Sequence, residues 1–421
     1  MPNLVPDEQR RFAVEVVRRL RDARFEAYLA GGCVRDQLLG QTPKDYDVAT
    51  DATPPEIRKL FGKRRTLAIG AAFGVITVLG QKGAGQIEVA TFRRDAAYSD
   101  GRHPDSVRFS SAREDASRRD FTINGLFYDP VEERVIDYVG GQEDLQRHVL
   151  RAIGDPHERF GEDKLRMLRA VRFSARLRFP LEADTLAAIR EMADQIVVVS
   201  PERIAMEMRQ ILVAPSRSTA VRLLLDTGLA PVLLPEIAPA DEPGRRRLEH
   251  TLAVLDRLQR PGFPLALAAL LYPVVDAAGA EQLGRRWRLS NQEIDRVGWL
   301  VAHHAALEHA RSMPWSRVQP ILIAEGIDDL LALAEAVALA GSGDTSHVAW
   351  CRARRAEPPH LLDPPPLLTG EDLIRHGVRP GPSFRVLLGR VRDAQLDGEI
   401  RTRDDALAWV DRLLEEGVTD D

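Results

Sequence analysis

The chain has 421 residues, enough for two to four domains with large apolar cores. Its 58 basic and 63 acidic side chains give a net charge of −5, which excludes a uniformly basic surface, so any RNA contact must come from local basic faces. No stretch has the length and apolarity of a membrane span, and no GxxxxGK[ST] motif indicates a P-loop enzyme. Cys33 and Cys351 are widely separated, which favours a reducing, cytoplasmic setting.

The first chemical motif is a glycine pair between a strand and a helix. Residues 28–30 predict a short buried strand that runs into Gly31 and Gly32, and residues 33–39 predict a helix. Glycines at this junction let backbone N–H groups approach a ligand closely, and a helix N-terminus adds partial positive charge. Gly32 and Arg35, which would lie in the first helical turn, are therefore predicted to bind a phosphate chain.

Two aspartates follow on a predicted strand, residues 45–50. Because side chains alternate along a strand, Asp45 and Asp47 share one face, and Tyr46 and Val48 the other. Adjacent carboxylates repel each other unless cations lie between them, and paired divalent metals can clamp the oxygens of a phosphoryl transfer. We expect Asp45 and Asp47 to be catalytic metal ligands, the alternative being turn residues after a proline. This order of motifs resembles the nucleotidyltransferase head of the DNA polymerase β superfamily.

A hairpin predicted over residues 73–79 and 86–92 carries a further carboxylate. Glu88 would project from its second strand opposite to Ile87 and Val89, so it is a candidate third catalytic carboxylate, the alternative being a solvent-facing glutamate on an edge strand. In the resembled superfamily an acidic residue on a neighbouring strand has this role.

The segment from Arg93 to Arg108 is polar, lacks a hydrophobic period and is typical of a mobile loop. Next, Arg118 and Arg119 begin the sequence RRDFTIN. Adjacent guanidinium groups suit a triphosphate because they form directional, charge-assisted bonds to phosphate oxygens, and Asp120 could orient one of them. Arg118 and Arg119 are predicted to bind nucleotide.

The sequence EDxxR at residues 162–166 opens a helix with a basic stripe. Asp163 and Arg166 are three residues apart and hence adjacent on a helix, where an acceptor and a donor could match the edge of a base. Glu162 is predicted to cap or steady the helix, and Arg203 and Glu207, further on, could pair with each other across a turn.

These motifs together resemble the class II tRNA nucleotidyltransferase (CCA-adding enzyme) and bacterial poly(A) polymerase family, and the resemblance covers nearly the whole chain. It implies that Asp163 and Arg166 select CTP and ATP, and that Arg169 and Arg172 contact the nucleotide. It also implies that the full-length 93–108 loop belongs to an enzyme that adds the terminal A.

The resemblance extends to an HD-like helical region. Tyr272 and Pro273 stand where that fold carries its metal-binding His-Asp pair, and they cannot replace it as ligands, so His250 is left isolated. We expect a retained fold without hydrolase activity.

The expected fold class is α+β, with a polymerase-β-like head of mixed sheet and helices followed by an all-helical neck, body and tail. The expected domains are a catalytic head (1–150), a neck that selects the nucleotide (151–215), a degenerate HD-like body (216–356), and a linker and tail that binds tRNA (357–421). The expected function is Mg²⁺-dependent, template-independent addition of CCA, or its terminal A, to tRNA from CTP and ATP. The alternatives are an enzyme that adds only A, a poly(A) polymerase, and a non-catalytic RNA-binding protein.

Overall fold

The computed structural model describes residues 6–81, 84–95, 107–341 and 343–416. The chain divides into two compact units, Met1–Ala238 and Pro239–Asp421. The domain boundaries predicted at residues 150, 215 and 356 divide the chain more finely than these two units do, and they stay predictions. In the part of the chain just given, no helix is both long and apolar enough to cross a membrane.

A mixed seven-stranded sheet forms the centre of the first unit, in the order β3-β4-β5-β2-β1-β8-β9, and β6 and β7 form a separate hairpin. The strands are β1 (Ala27–Ala30), β2 (Asp47–Thr50), β3 (Thr66–Leu67), β4 (Val75–Leu79), β5 (Gln86–Thr91), β6 (Arg93–Asp95), β7 (Val107–Phe109), β8 (Phe127–Asp129) and β9 (Arg134–Ile136). β2 pairs in parallel with β5, and the other pairs are antiparallel.

The register of the sheet sorts its side chains onto two faces. Leu67, Thr77, Glu88, Asp47 and Ala30 are directly paired in one row across β3, β4, β5, β2 and β1. Directly paired residues project from the same side of a sheet, so this row lies on one face, which we call the front face. The residues that precede and follow this row along the strands are buried on the opposite face, which we call the core face.

Eleven described helices accompany the sheet in the first unit, and those from α6 onward form its helical part. They are α1 (Pro6–Asp22), α2 (Gly32–Leu38), α3 (Pro54–Phe61), α4 (Ala112–Ser117), α5 (Gly141–Gln146), α6 (Pro156–Glu162), α7 (Leu165–Leu177), α8 (Ala183–Met192), α9 (Pro201–Val213), α10 (Arg217–Asp226) and α11 (Ala230–Leu233). α7 is amphipathic, and Leu168, Val171 and Ala175 on its apolar side are buried, as its periodicity predicts.

The described part of the second unit is helical. Its helices are α12 (Glu242–Arg257), α13 (Phe263–Leu271), α14 (Ala277–Arg286), α15 (Asn291–His303), α16 (Trp315–Leu322), α17 (Ile327–Ala340), α18 (Ser346–Arg355), α19 (Pro359–Leu362), α20 (Gly370–Arg375), α21 (Ser383–Leu396) and α22 (Arg403–Glu415). α13 is apolar on all sides and is buried at every residue except Pro264, which suits a central helix of a bundle.

The predicted fold class is confirmed: a mixed sheet lies in the N-terminal part and helices make up the remainder. Two local predictions need correction. The predicted strand over residues 45–50 begins only at Asp47, so Asp45 lies in the irregular segment before it. Asp163 has extended backbone (φ −146°) between α6 and α7, so it precedes the helix that carries Arg166.

Candidate active site

An arginine-rich cleft of about 500 Å³ lies in the first unit. Its walls come from the sheet, α2, the segment after α4, and the helices α7 and α9. The lining residues are Gly31, Gly32, Arg35, Asp47, Arg93, Arg118, Arg119, Asp120, Asn124, Asp163, Leu165, Arg166, Arg169, Arg172, Phe173, Arg176 and Arg203. Nine arginines against three aspartates make the cleft a concentrated cationic site in a chain whose net charge is −5.

The cleft brings together nearly all of the residues that the sequence predicted for the site. All eight predicted nucleotide-binding residues line it, and so does Asp47. Asp45 and Glu88 are described residues but do not line it. The predicted loop from Arg93 to Arg108 lies mainly on residues 96–106, outside the described part of the chain, although β6 and β7 at its two ends pair with each other.

The glycine turn has a steric function. Gly31 lies at φ +72°, and a Cβ atom there would be 2.7 Å from Arg119 Nη1, so both the backbone and the arginine require glycine. Arg35 lines the cleft, but its guanidinium already donates to Asp36 Oδ1 at 2.6 and 2.8 Å and to Asn124 Oδ1 at 2.6 Å. Arg35 therefore offers positive charge near the cleft while being held in place by these two partners.

The carboxylates occupy the front face of the sheet. Asp47 on β2 is paired with Glu88 on β5, and both are exposed, as is Asp45, whereas Tyr46 and Val48 are buried on the opposite side. Desolvation by the surrounding protein, together with the charges of Glu88 and Asp45, raises the pKa of Asp47 to about 6, although Arg119 acts in the opposite direction. The front face therefore concentrates negative charge that a bound cation would relieve.

The carboxylates suit a metal that binds oxygen but do not form a closed cage. Within the described residues, no three His, Cys, Asp or Glu side chains lie together in a way that would hold a metal ion by themselves. A site of one or two carboxylates completed by substrate phosphates and water is the usual arrangement for a small hard cation. The carboxylate oxygens of Asp47 and its neighbours, and the repulsion between these carboxylates, therefore fit a small hard cation.

The arginine pair is organised by Asp115, which the sequence analysis did not identify. Arg118 donates to Asp115 Oδ1 at 2.7 and 2.9 Å, and Arg119 donates to Oδ2 at 3.0 and 3.3 Å. Burial by itself would raise the pKa of Asp115, but the two guanidinium groups outweigh it and hold this pKa below its usual value. One buried carboxylate thus fixes the spacing of both arginines.

Asp120 has a different partner from the one that its position in RRDFTIN suggested. Its Oδ2 accepts from Arg169 Nε and Nη2 at 3.0 and 2.7 Å, and its Oδ1 accepts from Asn124 Nδ2 and the Phe121 backbone. Asp120 therefore connects the RRDFTIN segment to α7 and does not orient Arg118 or Arg119. This contact could not be predicted from local spacing because its partners are 49 residues apart.

Asp163 and Arg166 line the same cleft but are held by different neighbours. Asp163 accepts from Arg203 at 2.7 and 3.2 Å, which corrects the prediction that Arg203 pairs with Glu207. Arg166 donates to Glu162 at 2.5 Å and to the carbonyl oxygens of Arg159 and Arg118 at 3.0 and 3.1 Å. Glu162 therefore positions the Arg166 guanidinium, a contact that differs from its predicted role in capping or steadying the helix.

Glu207 and Phe173 support the remaining arginines. Glu207 accepts from Arg172 at 2.6 Å and lies 3.5 Å from Arg169. The Phe173 ring has three guanidinium groups around it: those of Arg35, Arg169 and Arg172 lie 5.2, 5.4 and 4.3 Å from its centroid. Cation–π attraction favours this arrangement, so Phe173, which reads in the sequence as an ordinary core residue, also positions the cations of the cleft.

Tyr272, in the region that the sequence predicted to be HD-like, is buried. The Tyr272 ring lies 5.0 Å from the His304 ring, and its hydroxyl is buried without a hydrogen-bond partner among the described residues. Burial raises the pKa of Tyr272 to about 12, so it stays neutral. The absence of hydrolase activity remains a prediction.

Comparison with known proteins identifies the family to which this chain belongs. Residues 27–151 match the profile described as "Poly A polymerase head domain", and residues 178–241 match "Probable RNA and SrmB- binding site of polymerase A". The CCA-adding enzyme of Geobacillus kaustophilus is 35% identical over 403 residues, covering 94% of this chain and 96% of that protein. That of Enterococcus faecalis is 33% identical, covering 96% and 95%.

Solved structures agree with these relatives. The CCA-adding enzyme of Bacillus stearothermophilus in complex with CTP superposes with a TM-score of 0.76 at 29% identity, covering 96% of this chain and 98% of that one. The Thermotoga maritima CCA-adding enzyme, complexed with tRNA, shares the fold with a TM-score of 0.66 at 21% identity, covering 96% and 95%. The sequence identity over almost the whole length shows that this chain belongs to the CCA-adding enzyme family of metal-dependent tRNA nucleotidyltransferases.

Proposed function

We propose that this protein adds CCA to the 3′ end of tRNA from CTP and ATP, without a nucleic-acid template and with release of pyrophosphate. The observation that carries the proposal is the arginine-rich cleft beside Asp47 in a chain closely similar to CCA-adding enzymes over 94% of its length. A cleft of about 500 Å³ is large enough for a nucleoside triphosphate, and its excess of guanidinium groups suits a triphosphate.

The reaction joins the 3′-hydroxyl oxygen of tRNA to the α-phosphorus of the nucleotide. The bond between the α-phosphorus and the bridging oxygen breaks, pyrophosphate leaves, and the hydroxyl proton passes to solvent. Arg118 and Arg119, fixed by Asp115, bind the phosphates and stabilise the charge on the leaving pyrophosphate, with Gly32 and Arg35 beside them. Holding both substrates in this geometry supplies much of the rate enhancement.

Base selection belongs to the helical wall of the cleft. Arg166 has five N–H donors and uses three in its bonds to Glu162, Arg159 and Arg118, so it retains donors for a base edge. Asp163, just before α7, supplies acceptor oxygens for the same base. Arg169 and Arg172 contact the nucleotide. Since Glu162 and Arg203 hold these two side chains, the cleft presents a fixed hydrogen-bonding pattern to the base.

Asp45 and Asp47, with Glu88 beside them, would hold Mg²⁺. Bound there, the ion would neutralise phosphate charge and lower the pKa of the attacking hydroxyl. Asp47 is the one of these carboxylates that lines the cleft, so a triphosphate bound by the arginines would lie beside the metal position.

The remaining assignments concern the other parts of the chain and its compartment. We place nucleotide selection in residues 151–215, a degenerate HD-like body in 216–356 and tRNA contact in the tail, 357–421. The two cysteines are free and buried, and burial raises the pKa of both thiols, which suits the reducing cytoplasm.

Asp47→Asn and Asp45→Asn test the proposal directly. Incubate each variant with tRNA that ends at the discriminator base, radiolabelled CTP and ATP, and Mg²⁺. Asp47→Asn should lower incorporation at least a hundredfold because a metal ligand is lost, while CTP binding measured by fluorescence titration is retained. Asp194→Asn, an exposed aspartate outside the cleft, is the matched control. Near wild-type incorporation by Asp47→Asn would contradict the assigned mechanism.

A further inference from the structure

A second cavity, of about 440 Å³, lies in the first unit and shares no lining residue with the cleft. Its walls come from the N-terminal part of α1, one side of α2, the loop that leads to β2, and β8. The lining residues are Arg10, Val34, Gln37, Leu38, Gln41, Thr42, Pro43, Tyr46 and Tyr128. We call this space the rear cavity.

The rear cavity lies on the core face of the sheet, opposite to Asp47. Tyr128 on β8 pairs with Leu29, and Leu29 pairs with Val48, so these three side chains project from one face. Tyr46 comes two residues before Val48 and is buried on the same side. Asp47, between Tyr46 and Val48, lines the cleft. The two cavities therefore lie back to back across the start of β2.

Helix α2 is a wall of both cavities. Gly32 and Arg35 line the cleft, whereas Val34, Gln37 and Leu38 line the rear cavity. Residues three and four apart lie on one side of a helix, so the second set forms a continuous side of α2. A ligand in the rear cavity would therefore contact the helix whose first turn contributes to the cleft.

Polar side chains line the rear cavity without protein partners. In the part of the chain that the structure describes, four of them form no hydrogen bond or ion pair with the protein: Arg10, Gln37, Gln41 and Thr42. This differs from the cleft, where carboxylates such as Asp115 hold the guanidinium groups. The rear cavity thus combines available amide, hydroxyl and guanidinium groups with two tyrosine rings and aliphatic side chains.

We propose that the rear cavity binds an adenine nucleotide with a single phosphate group, and that its occupancy changes the affinity of the cleft for CTP and ATP. A glutamine amide matches adenine because it accepts from N6 and donates to N7. Tyrosine rings such as Tyr46 and Tyr128 provide faces on which a base stacks. Among the described residues that line the cavity, Arg10 is the one cation, which suits one phosphate group rather than three.

The effect on the cleft follows from the elements that the two cavities share. A ligand in contact with Gln37 and Tyr46 bears on α2 and on the residue next to Asp47, and these elements position Gly32, Arg35 and Asp47 in the cleft. Linkage is reciprocal, so AMP should change the Kd of CTP by the same factor by which CTP changes the Kd of AMP. This second part of the inference rests on the proposed function, whereas the first part does not.

Binding of AMP to the full-length protein tests the site. Measure its Kd by isothermal titration calorimetry, with the cleft saturated by CTP and no RNA present. Leu38→Trp, at a position that is 45% exposed, should block the rear cavity and abolish binding. Gln37→Ala should raise the Kd of AMP roughly tenfold. Neither variant should change the KM for CTP measured without AMP, and Gln292→Ala, at an exposed position on α15, is the matched control.

Analogues of AMP test the individual contacts. Adenosine should bind wild type more weakly than AMP, and Arg10→Gln should remove this difference. Arg18→Gln, at an exposed position on the same helix, is the matched control. GMP should bind roughly tenfold more weakly than AMP, because guanine presents two acceptors where adenine presents a donor and an acceptor. Equal affinities for AMP and GMP would overturn the assignment of the base.

The coupling needs a separate measurement. Saturating AMP should change the Kd of CTP roughly fivefold or more in wild type and leave it unchanged in Leu38→Trp. An unchanged Kd in wild type would overturn the coupling. If wild type and Leu38→Trp bind AMP equally, or if wild type does not bind it, the rear cavity is not its site and the proposal is wrong. A wild type that binds AMP at this site but incorporates no CTP into tRNA would instead overturn the proposed function.

Discussion

Asp120 shows how the cleft keeps a carboxylate charged in the protein interior. Burial by itself would raise the pKa of Asp120, but Arg169 and the hydrogen bonds from Asn124 and the Phe121 backbone outweigh it and lower this pKa to about 2. The ordinary value is 3.8, so the unfolded chain binds a proton more readily than the folded chain. The stabilisation is therefore complete above pH about 4 and is lost as pH falls towards 2.

Asp120→Asn should consequently destabilise the protein in a pH-dependent way. A shift of this size corresponds to roughly 2 kcal/mol at pH 7, and the difference from wild type should shrink between pH 4 and pH 2. Compare the two by thermal unfolding from pH 7 downwards, with Asp194→Asn as the control. A difference in Tm that is as large at pH 3 as at pH 7 would show that the charge of Asp120 is not the cause.

Gly31 offers a second prediction on a single residue, and Gly40 offers its control. Both lie at positive φ (+72° and +69°), but a Cβ atom at Gly31 meets Arg119 Nη1 at 2.7 Å, whereas nothing lies within 4 Å at Gly40. Both alanine variants should lose stability through backbone strain, about 1–3 kcal/mol each. Only Gly31→Ala should raise the KM for CTP and ATP, because it displaces Arg119; steady-state kinetics of both variants measure the difference. The same rise in Gly40→Ala would assign the effect to strain alone.

The junction of α6 and α7 determines where Asp163 and Arg166, the two side chains proposed to select the base, lie. Since Asp163 precedes the helix, Asp163 and Arg166 depend on Arg203 and Glu162 for their orientation rather than on helical periodicity. Glu162→Gln should therefore relax base choice: incorporation of UTP and GTP relative to CTP should rise several-fold, with a smaller change in the rate with CTP. Single-nucleotide incorporation assays measure this ratio, and Glu158→Gln on the same helix is the control. Unchanged selectivity would mean that Glu162 does not position Arg166 for recognition.

Prediction from the sequence succeeded where the signal was local. The hairpin predicted over 73–79 and 86–92 is observed as Val75–Leu79 and Gln86–Thr91, and the helix predicted over 33–39 as Gly32–Leu38. It failed where partners are distant in sequence. The contact between Asp120 and Arg169, which are 49 residues apart, is the example. Asp115 was missed for another reason: its partners Arg118 and Arg119 lie three and four residues further along, a helical spacing that could have identified the contact.

At the scale of the whole chain, charge is distributed unevenly. The net charge is −5, yet the cleft has nine arginines against three aspartates in its lining. Much of that positive charge is held by carboxylates such as Asp115 and Glu207, which keep the guanidinium groups in fixed orientations before the substrate arrives. A site arranged in this way loses little free energy to reorganisation when a triphosphate binds.

The 3′ end of the RNA that the protein extends distinguishes CCA addition, addition of A alone and poly(A) synthesis. If one cleft accommodates both CTP and ATP, the protein should extend tRNA ending at the discriminator base when given CTP and ATP, and tRNA ending in CC when given ATP alone. Gel resolution of the products counts the added nucleotides, and Asp47→Asn provides the inactive control. Extension of only the CC-ending tRNA would identify an enzyme that adds the terminal A. No addition to either tRNA, together with long A tails on unstructured RNA, would identify a poly(A) polymerase. We expect both tRNAs to be completed to CCA, because Asp163 and Arg166 offer an acceptor and a donor that can match the edge of either base.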